Sequence, residues 1–362
     1  MKIIFIFDSL VPSDVRKYLV DEILFLRVQG IDVRVVTLGV EDPKNTLYSD
    51  AYFTKETFVS LPISAWWSVL EWKKLKNYFE TERPDLIITA DTKADIVGRI
   101  VARISRVSMK VFVFAHDLSD ISKRVKFFDD VLSHVTDYYI VTSEKAKLAL
   151  SKFEVSLKKI VVMRDGILFE KYGQPPTRNI RGEFGIAPDE FVFVFLGELI
   201  SEKNIPVMLR ALARMSTGRL FIIGDGPEKA ELKFLANSLD LKERVIFLDS
   251  YFDIPGLLVS SNAMILPSKT EEDISQPVIL GLLSGLPIIA TETEGTKELV
   301  KNQENGIFIR PQDSEDLAHA MNELIKNREF YESLRKNTRK ELAKYSLSAH
   351  ASKLLALAQE KK

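Results

Sequence analysis

The sequence predicts an α/β protein made of two facing, doubly wound, Rossmann-like halves with an interdomain cleft. Three observations predict it. Short runs rich in Val, Ile and Phe recur along the chain and alternate with segments at helical spacing. That is the pattern of parallel strands buried on both faces and covered by helices. The alternation breaks once, at the turn-rich Gly173-Gln174-Pro175-Pro176 and the polar stretch after it, and then restarts. A length of 362 residues also suits two domains of roughly 150 residues each.

The first strand is Ile3-Ile4-Phe5-Ile6-Phe7, apolar throughout. A helix is expected over 15–28, where Val15, Leu19, Ile23 and Leu26 recur at helical spacing before Gly30 stops it. Further strands are expected at 33–37, 86–89, 111–114, 138–141 and 160–163, with helices at 94–103 and 143–153. The segment 66–76 holds all three Trp and reads as a helix with an apolar side and a cationic side. Packing on the sheet accounts for that stripe; contact with a membrane surface is the second account.

In the second half, strands are expected at 191–196, 220–223, 245–248, 263–266 and 287–290. Helices are expected between them at 205–214, 229–239 and 278–283, and then at 317–325, 330–342 and 347–359. The expected domains are 1–175, together with the C-terminal helix 346–362, and 188–345.

Composition narrows the function. The chain carries 50 basic and 51 acidic residues, which removes the bulk electrostatic case for nucleic acid. It has no Cys, so disulfides, thiolate metal sites and cysteine nucleophiles are excluded. The four histidines, His116, His134, His319 and His350, lack metal-ligand spacing, and no metal site is expected. The apolar start ends at Asp8 without a cleavage site, and no apolar run approaches the ~20 residues of a membrane span. The expectation is a cytoplasmic protein, or one peripheral at the inner membrane face.

In open α/β sheets ligands bind outside the carboxyl ends of the strands, so the strand-end loops carry the candidates. Gly224-Asp225-Gly226-Pro227 links a strand to a helix. Glycines there let the backbone approach an anion at a helix start; a plain tight turn with Pro at the helix start is the other account. The loop 267–277 holds Glu271, Glu272 and Asp273, then Ile274, Ser275 and Gln276. Its carboxylates suit sugar hydroxyls and its amides suit phosphate oxygens, while a solvated acidic helix start explains the same residues. His116, at a strand end, is placed to donate or transfer a proton, or to pair structurally with Asp117.

In order along the chain, these motifs resemble the GT-B fold retaining glycosyltransferases of family 4, the glycosyl transferases group 1 type. The strongest stretch is 191–345, through Gly197-Glu198-Leu-Ile-Ser-Glu-Lys203-Asn204, Gly224 to Pro227, Leu266-Pro-Ser to Gly285-Leu-Pro287, and Gly295-Thr-Lys-Glu298. Arg83-Pro-Asp85, Ala115-His116-Asp117, Val141-Thr-Ser143 and Arg164-Asp165-Gly166 carry a looser likeness in the first half. The resemblance implies transfer of a sugar, with retention, from a nucleotide-diphosphate sugar to a saccharide or glycoconjugate acceptor. It implies no cofactor and no metal, because cations and helix starts stabilise the leaving diphosphate.

Carried over by motif, Gly197, Lys203, Gly224, Gly226, Ile274, Ser275 and Gln276 bind the donor, and His116 and Glu272 are catalytic. The second half would hold the donor and the first half the acceptor. Three features depart from the pattern: Glu198 stands where the family has Arg, Leu280 where it has its second signature Glu, and Pro12-Ser13-Asp14 where it has Gly-Gly after the first strand. A like charge at about 4 Å from a phosphate is worth ~4 kcal/mol at an effective dielectric near 20. Glu198 and Leu280 favour the rival expectation, a non-catalytic carbohydrate-binding or regulatory homologue. A sugar-nucleotide epimerase is the third class.

Overall fold

The computed structural model describes residues 1–10, 14–39, 57–115, 131–152, 155–164, 166–172, 174–176, 178–248, 253–269 and 276–360. The chain forms two compact units, one of Met1–Ile167 with Lys344–Lys362 and one of Leu168–Ala343.

The first unit runs β1 (Lys2–Phe7), α1 (Asp14–Val28), β2 (Asp32–Thr37), β3 (Phe58–Ser60), α2 (Val69–Glu82), β4 (Leu86–Thr89), α3 (Thr92–Ile104), β5 (Lys110–Phe114), β6 (Tyr138–Val141), α4 (Glu144–Ser151) and β7 (Ile160–Val162). Its strands form one parallel sheet in the order β3-β2-β1-β4-β5-β6-β7. Because side chains alternate along a strand, β1 sends Ile3, Phe5 and Phe7 to one face, against Leu19 and Ile23 of α1. Ile4 and Ile6 go to the other, against Leu75 and Phe79 of α2 and Val97 and Val101 of α3. Burial on both faces is why the strand reads as an unbroken apolar run.

The second unit runs α5 (Ile180–Glu183), β8 (Val192–Leu196), α6 (Ile205–Ala213), β9 (Arg219–Ile223), α7 (Lys229–Ser238), β10 (Val245–Leu248), α8 (Ile254–Val259), β11 (Ala263–Leu266), α9 (Gln276–Leu283), β12 (Ile288–Thr291), α10 (Glu294–Leu299), β13 (Gly306–Ile309), α11 (Ser314–Lys326) and α12 (Arg328–Asn337). Its parallel sheet has the order β10-β9-β8-β11-β12-β13. The last helix, α13 (Leu347–Gln359), belongs to the first unit, where Ala351 and Leu354 join the core against β1 and α1.

Several elements differ from the sequence expectation. The Trp segment becomes helical only at Val69, leaving Trp66 and Trp67 in the preceding turn. Its helix continues to Glu82, where Arg83 turns left-handed at φ 49°; Pro84 disfavours the helical conformation in the residue before it. The helix expected to reach 342 stops at Asn337, and Leu342–Tyr345 forms a separate 3₁₀ turn. The polar stretch after the turn-rich segment at 173–176, where the alternation breaks, is stapled into the second unit by Arg181, which donates to the carbonyls of Ser260, Ala187 and Glu190 and to Asn262 Oδ1. β3 and β13 escape pattern reading because runs of three or four residues at a sheet edge carry too little periodicity.

Candidate active site

In the second unit, β8 lies between β9 and β11, so successive crossovers leave it in opposite directions. A doubly wound sheet places its ligand crevice at that switch, outside the carboxyl ends of the two central strands. The residues following β8, β9, β11 and β12 converge there.

The loops after β8 and β9 lie backbone on backbone. Leu199 N–H donates to Asp225 O at 2.9 Å, and Glu228 N–H donates to Leu199 O at 3.1 Å. A Cβ on Gly224 would stand 1.9 Å from Gly197 O, and one on Gly226 would stand 2.5 Å from Leu199 O. Both glycines also hold positive φ, 148° and 157°. The close approach expected of these glycines is therefore made to the 197–199 backbone, and it fixes the shape of the loop that carries Glu198 and Lys203.

That loop turns through the 3₁₀ segment Ser201–Lys203 into Asn204, left-handed at φ 52°, which starts α6. Asn204 is buried, and its Nδ2 donates to Pro267 O at 3.2 Å. The strand end after β11 answers in kind. Lys269 N–H donates to Glu202 O at 2.8 Å, and Lys269 Nζ lies 3.1 Å from Ser201 Oγ. Thr291 Oγ1, at the end of β12, donates to Ser268 O at 2.7 Å. Lys203 and Lys269 are thus carried on two hydrogen-bonded loops. Such cations, beside helix starts, suit a polyanion.

Among the described residues, two side-chain atoms here are buried with no hydrogen-bond partner: Gln276 Nε2, on the first residue of α9, and Glu228 Oε2, just before α7. One is a donor and the other an acceptor, and buried polar atoms are rarely left unpaired without a reason. Glu198 is exposed on its loop. Leu280 is 5% exposed and belongs to the apolar packing of α9, so the position of the second signature Glu is spent on core. Asp225 is held below the usual carboxylate range by Lys229 and by the Gly226 amide.

Of the sequence candidates, the structure brings Gly197, Lys203, Gly224, Gly226 and Gln276 to the carboxyl edge of this sheet. His116, Glu272, Ile274 and Ser275 lie outside the described residues. Sequence reasoning did not find Lys269, Glu228 or Thr291, whose roles depend on contacts between loops. The Pro-Glu pair at the end of the Gly224 turn was the available signal for Glu228.

The first unit has its own switch point between β1 and β4. There Asp8 accepts from Lys93 N–H and Ala94 N–H at the start of α3, at 3.2 and 2.7 Å, and its own N–H donates to Asp91 Oδ2 at 2.8 Å. Burial, and then the neighbouring Asp91, push the Asp8 carboxyl above its ordinary value.

Comparison with known proteins places the family and the fold. Residues 15–170 match the model of "Glycosyltransferase Family 4" and residues 176–341 that of "Glycosyl transferases group 1". An uncharacterized glycosyltransferase of Haemophilus influenzae is 31% identical, over 84% of this chain and 85% of its own. The Escherichia coli UDP-Gal:alpha-D-GlcNAc-diphosphoundecaprenol alpha-1,3-galactosyltransferase is 26% identical over 68% of each chain. In fold, the chain is similar to Anabaena HepE crystallised with UDP, with a TM-score of 0.78 and 21% identity over 98% of this chain and 99% of that one. The chain belongs to the GT-B glycosyltransferases of family 4, group 1.

Proposed function

We propose that this glycosyltransferase moves a sugar from a nucleoside-diphosphate sugar, with UDP as the first nucleotide to test, to a saccharide or glycoconjugate acceptor, with retention and without a bound metal. The observation that carries the reading is the convergence of Lys203, Lys269, the orphaned Gln276 Nε2 and the α9 start at the β8–β11 switch. Uracil nucleotides are favoured because the E. coli relative is named for UDP-Gal and HepE was crystallised with UDP and UDP-glucose.

In this reading Lys203 and the amides of Ile274, Ser275 and Gln276 neutralise charge on the departing diphosphate. Gly197, Gly224 and Gly226 shape the loop that receives it. Glu272 orients the sugar and His116 contacts it. These roles rest on the family motif. The exposure of Glu198 supports activity over the non-catalytic alternative, since a solvated carboxylate is strongly screened. A lipid-linked acceptor, as in the name of the E. coli relative, would place the enzyme peripherally at the cytoplasmic face of a membrane.

Calorimetric titration with UDP, GDP and ADP in EDTA is the test. One nucleotide should bind at micromolar to millimolar Kd, and Lys203→Ala should weaken it at least tenfold, the worth of one charge-assisted contact of about 1.5–3 kcal/mol. Absence of binding by any of the three would refute the reading.

A further inference from the structure

At the carboxyl edge of the second unit's sheet, the acids beside Glu228 are already paired or solvated. Asp225 pairs with Lys229 at 3.2 Å and accepts from the Gly226 amide at 3.0 Å. Asp253 caps α8 by accepting from the Gly256 amide. Glu292 and Glu294 share Lys297, and Glu198 and Glu202 are exposed. Glu228 is different. It stands at the N-cap of α7, yet its side chain makes no capping hydrogen bond. Among the described residues its buried Oε2 has no partner.

The backbone that carries this carboxylate is fixed on both sides. Glu228 N–H donates to Leu199 O at 3.1 Å, and Glu228 O accepts from Leu232 N–H at 2.9 Å. A buried acceptor without a donor is costly, so a ligand that brings the donor would be rewarded here. Position separates this group from the cations. In the strand order β10-β9-β8-β11, Lys203 follows β8 and Lys269 follows β11, whereas Glu228 follows β9. A diphosphate between the two lysines leaves the sugar toward the Glu272 loop after β11. The nucleoside then lies toward β9, about one strand spacing of 4.8 Å farther on.

We propose that Glu228 reads the nucleoside half of the donor, with Oε2 accepting from a ribose hydroxyl. A carboxylate repels the diphosphate itself but accepts readily from neutral hydroxyls. A base N–H fits less well, because uracil flanks its N3–H with two carbonyl oxygens that would face the carboxylate. On α9 the residues Val278, Ile279 and Leu280 are buried and apolar, so the acceptor comes from the β9 side. The inference rests on the nucleotide-sugar reading above and deepens it, naming the residue that selects ribonucleotides over deoxyribonucleotides.

The test is calorimetric titration of the full chain with UDP, GDP and ADP, each beside its 2′-deoxy and 3′-deoxy counterparts. For the nucleotide that binds, loss of one hydroxyl or the other should weaken binding at least tenfold, as expected for a hydrogen bond to a charged group. Glu228→Ala should weaken the ribonucleotide by a similar factor and leave that deoxy form almost unchanged, because the two losses remove one contact. Glu228→Gln, which keeps one acceptor oxygen, should recover part of the affinity. Neither substitution should lower the melting temperature, since Oε2 has no partner among the described residues. Equal affinity of the ribo and deoxy forms for the wild type overturns this proposal and leaves donor binding intact. So does an equal loss of both forms in Glu228→Ala, the mark of a side chain that only braces the loop. Absence of binding by every nucleotide removes the donor reading and this inference with it.

Discussion

At the scale of single residues, the second unit's site depends on positions that tolerate no side chain. Gly224 is the sharpest case, because its would-be Cβ meets a backbone carbonyl rather than a movable side-chain tip. Gly224→Ala should destabilise the protein by at least about 2 kcal/mol, combining unfavourable φ with a forced loop shift, and should weaken nucleotide binding. Gly185 also has positive φ, 61°, but nothing within 4 Å, so Gly185→Ala should cost only about 1 kcal/mol. Urea unfolding of both variants measures the difference; equal losses would refute the loop-on-loop account.

Asp8 makes a pH prediction in the other unit. Its carboxyl is raised, chiefly by burial, so the folded state holds that proton to higher pH than the unfolded chain. The stability linked to it is present below the ordinary aspartate value near 3.9 and is lost as pH rises through the folded value. Asp8→Asn retains an acceptor for the α3 amides and should remove that decline. Unfolding free energies measured from acid to neutral pH should therefore slope less in the variant than in the wild type.

At the scale of elements, α13 shows how a distant segment completes a core. His350 Nδ1 lies 2.7 Å from Glu22 Oε1 of α1, and both side chains are buried. Gly166 packs against the same turn, with a would-be Cβ 2.9 Å from His350 Cβ. Removing one member of such a pair leaves a buried polar group unmatched. His350→Ala should cost about 3 kcal/mol and expose α13 to proteolysis, while His350→Gln, which keeps a donor, should recover part of the loss. A wild-type urea midpoint for His350→Ala would refute the assignment.

The helices also show where sequence reading works. α3 and α11 follow their apolar spacing closely, because their buried stripes (Ala94, Val97 and Val101; Leu317, Met321 and Leu324) are written at intervals of three and four. α2 started later than its apolar residues suggest. Trp66 is hydrophobic without being helical, since a turn before a helix also packs on the core, whereas Trp67 beside it is exposed.

At the scale of the whole molecule, the order of strands and helices and the family membership were already written in local runs. Strands buried on both faces must be apolar throughout, and their crossover helices must be amphipathic, so chemistry alone spaces them. The residues that would grip a donor were legible only through motif: Gly197, Lys203, Gly224, Gly226 and Gln276 all reach the carboxyl edge of one sheet. What they touch was not legible. The Gly224–Gly197 contact, the Lys269–Ser201 and Asn204–Pro267 bonds, the stapling of 178–190 by Arg181, and the seat of α13 against α1 join residues far apart in the chain. No local pattern records such pairings. Sequence by itself determined the α/β alternation, the two-unit plan and the family. Tertiary structure alone decided which loops lean on one another, which buried polar atoms stay unmatched and which hydrophobic residues of α2 remain in water, because each depends on the distance between segments that only folding brings together.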